Sequence, residues 1–122
     1  QLTTLDEFCD KQAILFVDLL KMDVEGAELS VLKGAQRMLD AGNIHAILAE
    51  CEFSRRADEP HGDFDEIWPF LQQCGYRICA FYSGGVDSMG WVWGDCLFVR
   101  DGHGPAQVVC SPWAGHLNTY KP

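Results

Sequence analysis

A six-residue apolar run, Val17-Asp18-Leu19-Leu20-Lys21-Met22, stops at Asp23-Val24-Glu25-Gly26 and gives way to a segment of helical periodicity. That junction constrains the fold more than any other stretch. A run so short and apolar is what a strand buried in a parallel sheet requires. From Ala27 to Leu39, the residues Leu29, Leu32, Ala35 and Leu39 fall at helical spacing, with Gln36 the polar exception. Glu25 and Glu28 stand near the start of this predicted helix and Arg37 near its end, as the helix dipole favours. Gly42-Asn43 stops it.

The remainder repeats the alternation. Thr4 to Cys9 reads as a short helical turn, with Leu5 and Phe8 on one face. Ile44 to Ala49 is a second buried strand, ending at Glu50. Ser54 to Gly62 is polar and holds Pro60, so a loop is expected. Asp63-Phe64-Asp65-Glu66 has the form of a capping box. Phe64, Ile67, Trp68, Leu71 and Cys74 then make an apolar helical stripe, which Pro69 should kink or delay to a start at Trp68. Tyr76 to Phe81 is a third strand, Gly84-Gly85 a turn, Trp91 to Trp93 a hairpin arm and Asp95 to Arg100 a last strand. This order predicts an α/β fold: a parallel sheet with a closing antiparallel strand over residues 1–100, then an irregular Gly- and Pro-containing tail over 101–122. Four strands leave a sheet edge unpaired, which implies self-association or a missing neighbour.

Composition removes several classes of function. Among the 122 residues, 18 are acidic and 9 basic, a net charge of -9. Such a chain repels phosphate backbones, so nucleic acid is not an expected partner. No apolar run approaches the ~20 residues that cross a bilayer, so no membrane partner is expected either. Cys9, Cys51, Cys74, Cys79, Cys96 and Cys110 form no C-x-x-C pair. They read as reduced thiols of a cytoplasmic protein, with Cys51 and Cys79 inside apolar runs, and no metal site is expected. The chain begins at Gln1 with no signal pattern nearby, which suggests an excerpt of something longer.

In open α/β sheets, ligands bind beyond the carboxyl ends of the strands. The candidate site residues are therefore Lys21, Asp23, Glu25, Gly26 and Glu50. Lys21 and Asp23, two apart in an extended strand, share a face. Gly26 permits a tight turn or close approach to a ligand. Each acid also has a plainer use in capping or charging a helix start, Glu28 above all. His45 stands at a strand start, on the wrong side for a site, and His61, His103 and His116 show no ligand spacing. Trp91 and Trp93 either pack or wall a substrate pocket.

Thr4-Leu5-Asp6-Glu7-Phe8, the string Val17 to Glu28 and Val31-Leu32-Lys33-Gly34-Ala35 together resemble the FkbM methyltransferase family. Ile47-Leu48-Ala49-Glu50 and Phe64 to Tyr76 resemble its next elements, so the likeness runs from Leu2 to Arg100. It implies the C-terminal half of a Rossmann-like, class I methyltransferase domain. It also implies S-adenosylmethionine as cofactor and methyl transfer to a hydroxyl oxygen of a small molecule or sugar. Asp23 and Gly26 would then touch the cofactor, and Asp23, Glu25, Lys21 and Glu50 would carry the chemistry. The family's glycine-rich cofactor loop and its ribose-binding acid are not in this sequence. Pro69 and the Gly- and Trp-containing stretch from Gly84 to Trp93 depart from the family pattern. The alternative is a non-catalytic methyltransferase remnant that serves as an interaction module.

Overall fold

The computed structural model describes residues 2–53 and 63–102. The element order is α1 (Leu5–Gln12), β1 (Val17–Met22), α2 (Glu28–Lys33), α3 (Gln36–Ala41), β2 (Ile44–Glu52), α4 (Phe64–Gln73), β3 (Tyr76–Asp87) and β4 (Gly90–Arg100). The expected loop at 54–62 and most of the expected tail lie outside the described residues, as do His61, His103, His116 and Cys110.

The four strands form one mixed sheet in the order β1-β2-β4-β3. β1 and β2 are parallel, with Leu20 opposite Ile47 and Lys21 opposite Leu48. β4 enters between β2 and β3 and runs antiparallel to both. The strand Val17–Met22 has the bounds its apolar run predicts. It lies at the sheet edge, where Leu15, Phe16 and Leu19 are exposed.

Side-chain alternation divides the sheet into two faces. Ile47, Ala49 and Cys51 of β2, with Cys96 and Phe98 of β4, join Leu32, Met38, Leu39, Ile67 and Leu71 of the helices in one core. Trp68 of α4 stacks on Phe98 with ring centroids 6.2 Å apart. The opposite face carries Leu48, Glu50 and Glu52 of β2 across from Leu97, Asp95 and Trp93 of β4. Leu97 and Val99 are buried but stand outside the core cluster.

Four expectations need correction. The helix predicted over Ala27 to Leu39 is two short helices that part at Gly34-Ala35. The break is stabilised from afar, by a side chain on α1. The Asp6 carboxylate accepts hydrogen bonds from the backbone N–H groups of Arg37 (2.9 Å) and Met38 (3.1 Å), capping α3. Arg37 consequently sits at a helix start, where its guanidinium pairs with Asp10 at 2.7 Å.

The helix α4 begins at Phe64, not at Trp68, and continues through Pro69. Asp63 caps it by accepting from the Asp65 N–H at 2.9 Å. Gly84 and Gly85 do not turn the chain. They lie inside the twelve-residue strand β3, and the hairpin reverses at Ser88-Met89. Finally, Cys51 is buried as expected, whereas Cys79 is exposed.

Arg100 ties the helix ends to the sheet. Its guanidinium donates to the carbonyls of Leu39 and Cys74, satisfying groups left open at the ends of α3 and α4. Tyr76 donates from its hydroxyl to the Ile44 carbonyl at 2.5 Å, and burial pushes this phenol up to about 12.

Candidate functional site

The turn after β1 is built from its own sequence. Glu25 has φ 53° and Gly26 φ 94°, two successive residues in the left-handed region. Glycine adopts that conformation freely, but a glutamate does so only under constraint. The constraint is Glu28, the first residue of α2, whose carboxylate accepts a hydrogen bond from the Val24 N–H at 3.0 Å. Glu28 is 1% exposed, and its second carboxylate oxygen is buried with no hydrogen-bond partner. An acid at a helix start ordinarily faces water, so nothing in the spacing foretells this burial.

Lys21 and Asp23 project from the carboxyl end of β1 and meet at 3.4 Å, both side chains 59% exposed. That is the shared face their spacing predicts. At such exposure the pair adds little stability and leaves both groups accessible.

Glu50 stands not past the end of β2, as expected, but within it, since the strand runs to Glu52. It is directly across from Asp95 of β4. Burial pushes the Glu50 carboxyl above its usual range, and the charges of Asp23, Asp95, Glu25 and Glu28 push it further. These influences bring the carboxyl ends of β1 and β2, the turn between β1 and α2, and β4 into one electrostatic neighbourhood. Asp95 belongs to it, although the sequence alone did not single it out. Only the β2–β4 register reveals it.

His45 pairs with Asp18 at 3.6 Å near the opposite ends of the strands. Among the described residues, no group of three or more His, Cys, Asp or Glu side chains is arranged to hold a metal ion. No described helix is long and apolar enough to cross a membrane.

Chemically, the neighbourhood combines carboxylates, one of them, Glu50, held above the usual carboxylate range by burial and like charge, with one exposed ammonium. No curated protein and no solved structure matches the chain. A family model described as the methyltransferase FkbM domain matches residues 1–78, which include β1, the strained turn, Lys21, Asp23, Glu25, Gly26 and Glu50. The chain therefore belongs to the FkbM methyltransferase domain family.

Proposed function

We propose that this chain carries the acceptor side of an S-adenosylmethionine-dependent methyltransferase that methylates a hydroxyl oxygen of a small molecule or sugar. The carboxylate neighbourhood at the carboxyl ends of β1 and β2, within the family match, is the observation that carries the reading. The strand order, with an antiparallel β4 inserted between β2 and β3, is compatible with part of a Rossmann-like, class I methyltransferase sheet.

The residues fit the positively charged end of the cofactor. Asp23 and Glu25 are acceptor-only groups suited to an ammonium or sulfonium, and Gly26 lets the backbone come close. When bound, the cofactor supplies an electrophilic methyl group. Asp23 would receive its amino end or orient the acceptor. Lys21 would hold the acceptor oxygen and tune Asp23 by its charge. Glu50, with Glu25 as the other candidate, would take the hydroxyl proton, a role that suits a raised carboxyl. Alignment of acceptor and methyl for in-line attack would supply much of the acceleration.

The buried thiols of Cys9, Cys51, Cys74 and Cys96 are compatible with a reducing, cytoplasmic location. A non-catalytic interaction module is the second reading, favoured by the exposed edge strand β1.

The test is calorimetric titration of the native protein with S-adenosylhomocysteine, alongside transfer of labelled methyl to hydroxylated small molecules. Asp23→Ala should lower turnover by roughly 100-fold or more. Unchanged turnover in that variant would remove Asp23 from the chemistry, and no binding by the native protein would favour the interaction module.

A further inference from the structure

The turn between β1 and α2 carries two local costs that its own residues do not offset. Glu25 holds φ 53°, a left-handed conformation unfavourable to a residue with a side chain. Glu28 is 1% exposed, and its second carboxylate oxygen is buried with no hydrogen-bond partner among the described residues. An exposed acid can serve a helix start with neither penalty. Local costs of this kind gather where a site requires them.

Val24 is the point the two features share. Its N–H donates to Glu28 at 3.0 Å, and its carbonyl accepts from the Ala27 N–H at 3.2 Å. Both backbone groups of Val24 are therefore held, by the cap and the first residue of α2. That helix is seated in the core through the fully buried Leu32. Asp23 and Glu25, on either side of Val24, are exposed. Two exposed carboxylates thus ride on a backbone segment fixed from behind by a buried side chain.

We infer that Glu28 is a positioning residue: its clamp on Val24 fixes the turn in the arrangement that presents Asp23 and Glu25 to a ligand at the carboxyl ends of β1 and β2. The inference rests on the transferase reading for the identity of that ligand, not for the clamp. Buried as it is, Glu28 touches neither cofactor nor acceptor and acts only through Val24. The clamp needs one acceptor oxygen and the full length of the side chain, but not the charge. Its unpartnered oxygen follows, carried into the same buried space by the oxygen that Val24 binds.

Glu50 reports on the turn without any ligand. Burial is the largest influence holding its carboxyl above the usual range. The charges of Asp23 on β1, Asp95 on β4 and Glu25 in the turn follow, and that of Glu28 is the weakest. Loss of the Glu28 charge alone should therefore move Glu50 little. Release of the turn should move it more, because Asp23 and Glu25 are then no longer held in place.

The experiment compares the full native chain with Glu28→Gln, Glu28→Ala and Glu28→Asp, each at a temperature where circular dichroism shows it folded. Glu28→Gln keeps the acceptor and loses the charge. Glu28→Asp keeps the charge but draws the oxygens back by one methylene, and it stands in for Glu28→Ala if alanine does not fold. Carboxyl-carbon NMR follows the titration of Glu50, and calorimetry follows binding of S-adenosylhomocysteine. Glu50 should titrate close to its native position in Glu28→Gln, and nearer the ordinary carboxylate range in the other two variants. Affinity should stay within about threefold of native in Glu28→Gln and fall about tenfold or more in the others, the scale of loss that a misplaced binding group produces.

Folded alanine and aspartate variants that keep native affinity, with Glu50 titrating as in Glu28→Gln, would overturn the proposal. So would a glutamine variant as impaired as alanine in both measurements, since charge and not the clamp would then be responsible. A native chain that binds no S-adenosylhomocysteine counts against the transferase reading alone, and the Glu50 titrations then decide the positioning.

Discussion

Glu50 and Asp95 face one another directly across the β2–β4 ladder, two carboxylates in register on the face that carries Trp93. Like charges so placed oppose folding, and burial of Glu50 adds to the cost. A carboxyl raised in the folded state contributes stability that is complete below its ordinary value of 4.5. That contribution is lost as pH rises through the folded value. Glu50→Gln should therefore stabilise the protein near pH 7 by a few tenths to about 1 kcal/mol, and leave it unchanged near pH 4. Thermal melts at the two pH values measure this. Equal gains at both would show that charge is not the cause.

Glu28 predicts a sharper loss. Glu28→Ala strips the Val24 N–H of its partner and leaves Glu25 and Gly26 to hold a left-handed turn unaided. A cost of about 2–3 kcal/mol is expected for a buried bond to a charged acceptor, read from urea denaturation. Glu28→Gln keeps an acceptor oxygen and should recover most of the loss. If glutamine is no better than alanine, the Val24 bond is not what Glu28 supplies.

Asp6 acts across 31 and 32 residues of sequence. Asp6→Ala removes the cap from two amides of α3 and should cost about 1–2 kcal/mol in urea denaturation. The effect should appear as faster hydrogen exchange at Arg37 and Met38, without a comparable change in β3 and β4. Uniform acceleration across the chain would show global rather than local loosening.

The edge strand β1 predicts concentration-dependent self-association. Leu19 is exposed and lies on that edge strand, so Leu19→Lys should shift sedimentation toward the monomer with little effect on the melting temperature. A native chain that already sediments as a monomer at all concentrations would remove the prediction.

What the sequence disclosed, and what it withheld, divides along range. β1 was legible to the residue because a short apolar run ends at an acid and a glycine. The Lys21–Asp23 pair was legible as a shared face from two-residue spacing at the strand end, although Glu50 stood as an equal partner for Lys21 until the structure brought Asp23 to 3.4 Å. The split of α2 from α3 was not legible, because the cap that favours it comes from α1. Gly84-Gly85 reads locally as a turn, and only the indoles of Trp91 and Trp93 on the facing strand explain glycine in mid-strand. Asp95 joined the candidate site through strand register, which no local pattern encodes.

The position of β4 between β2 and β3 also governs the timing of assembly. During synthesis β2 emerges long before its second neighbour, and that neighbour is the last strand of the sheet. Until residues 90–100 are made, Ile47 and Ala49 have pairing partners on one side only, and Cys51, which pairs with Gly94, has none in the sheet. The segment that specifies the family can exist on the ribosome, but its sheet closes only when the hairpin beyond it returns. A nascent chain paused before Gly90 should accordingly be protease-sensitive and a ready client for chaperones.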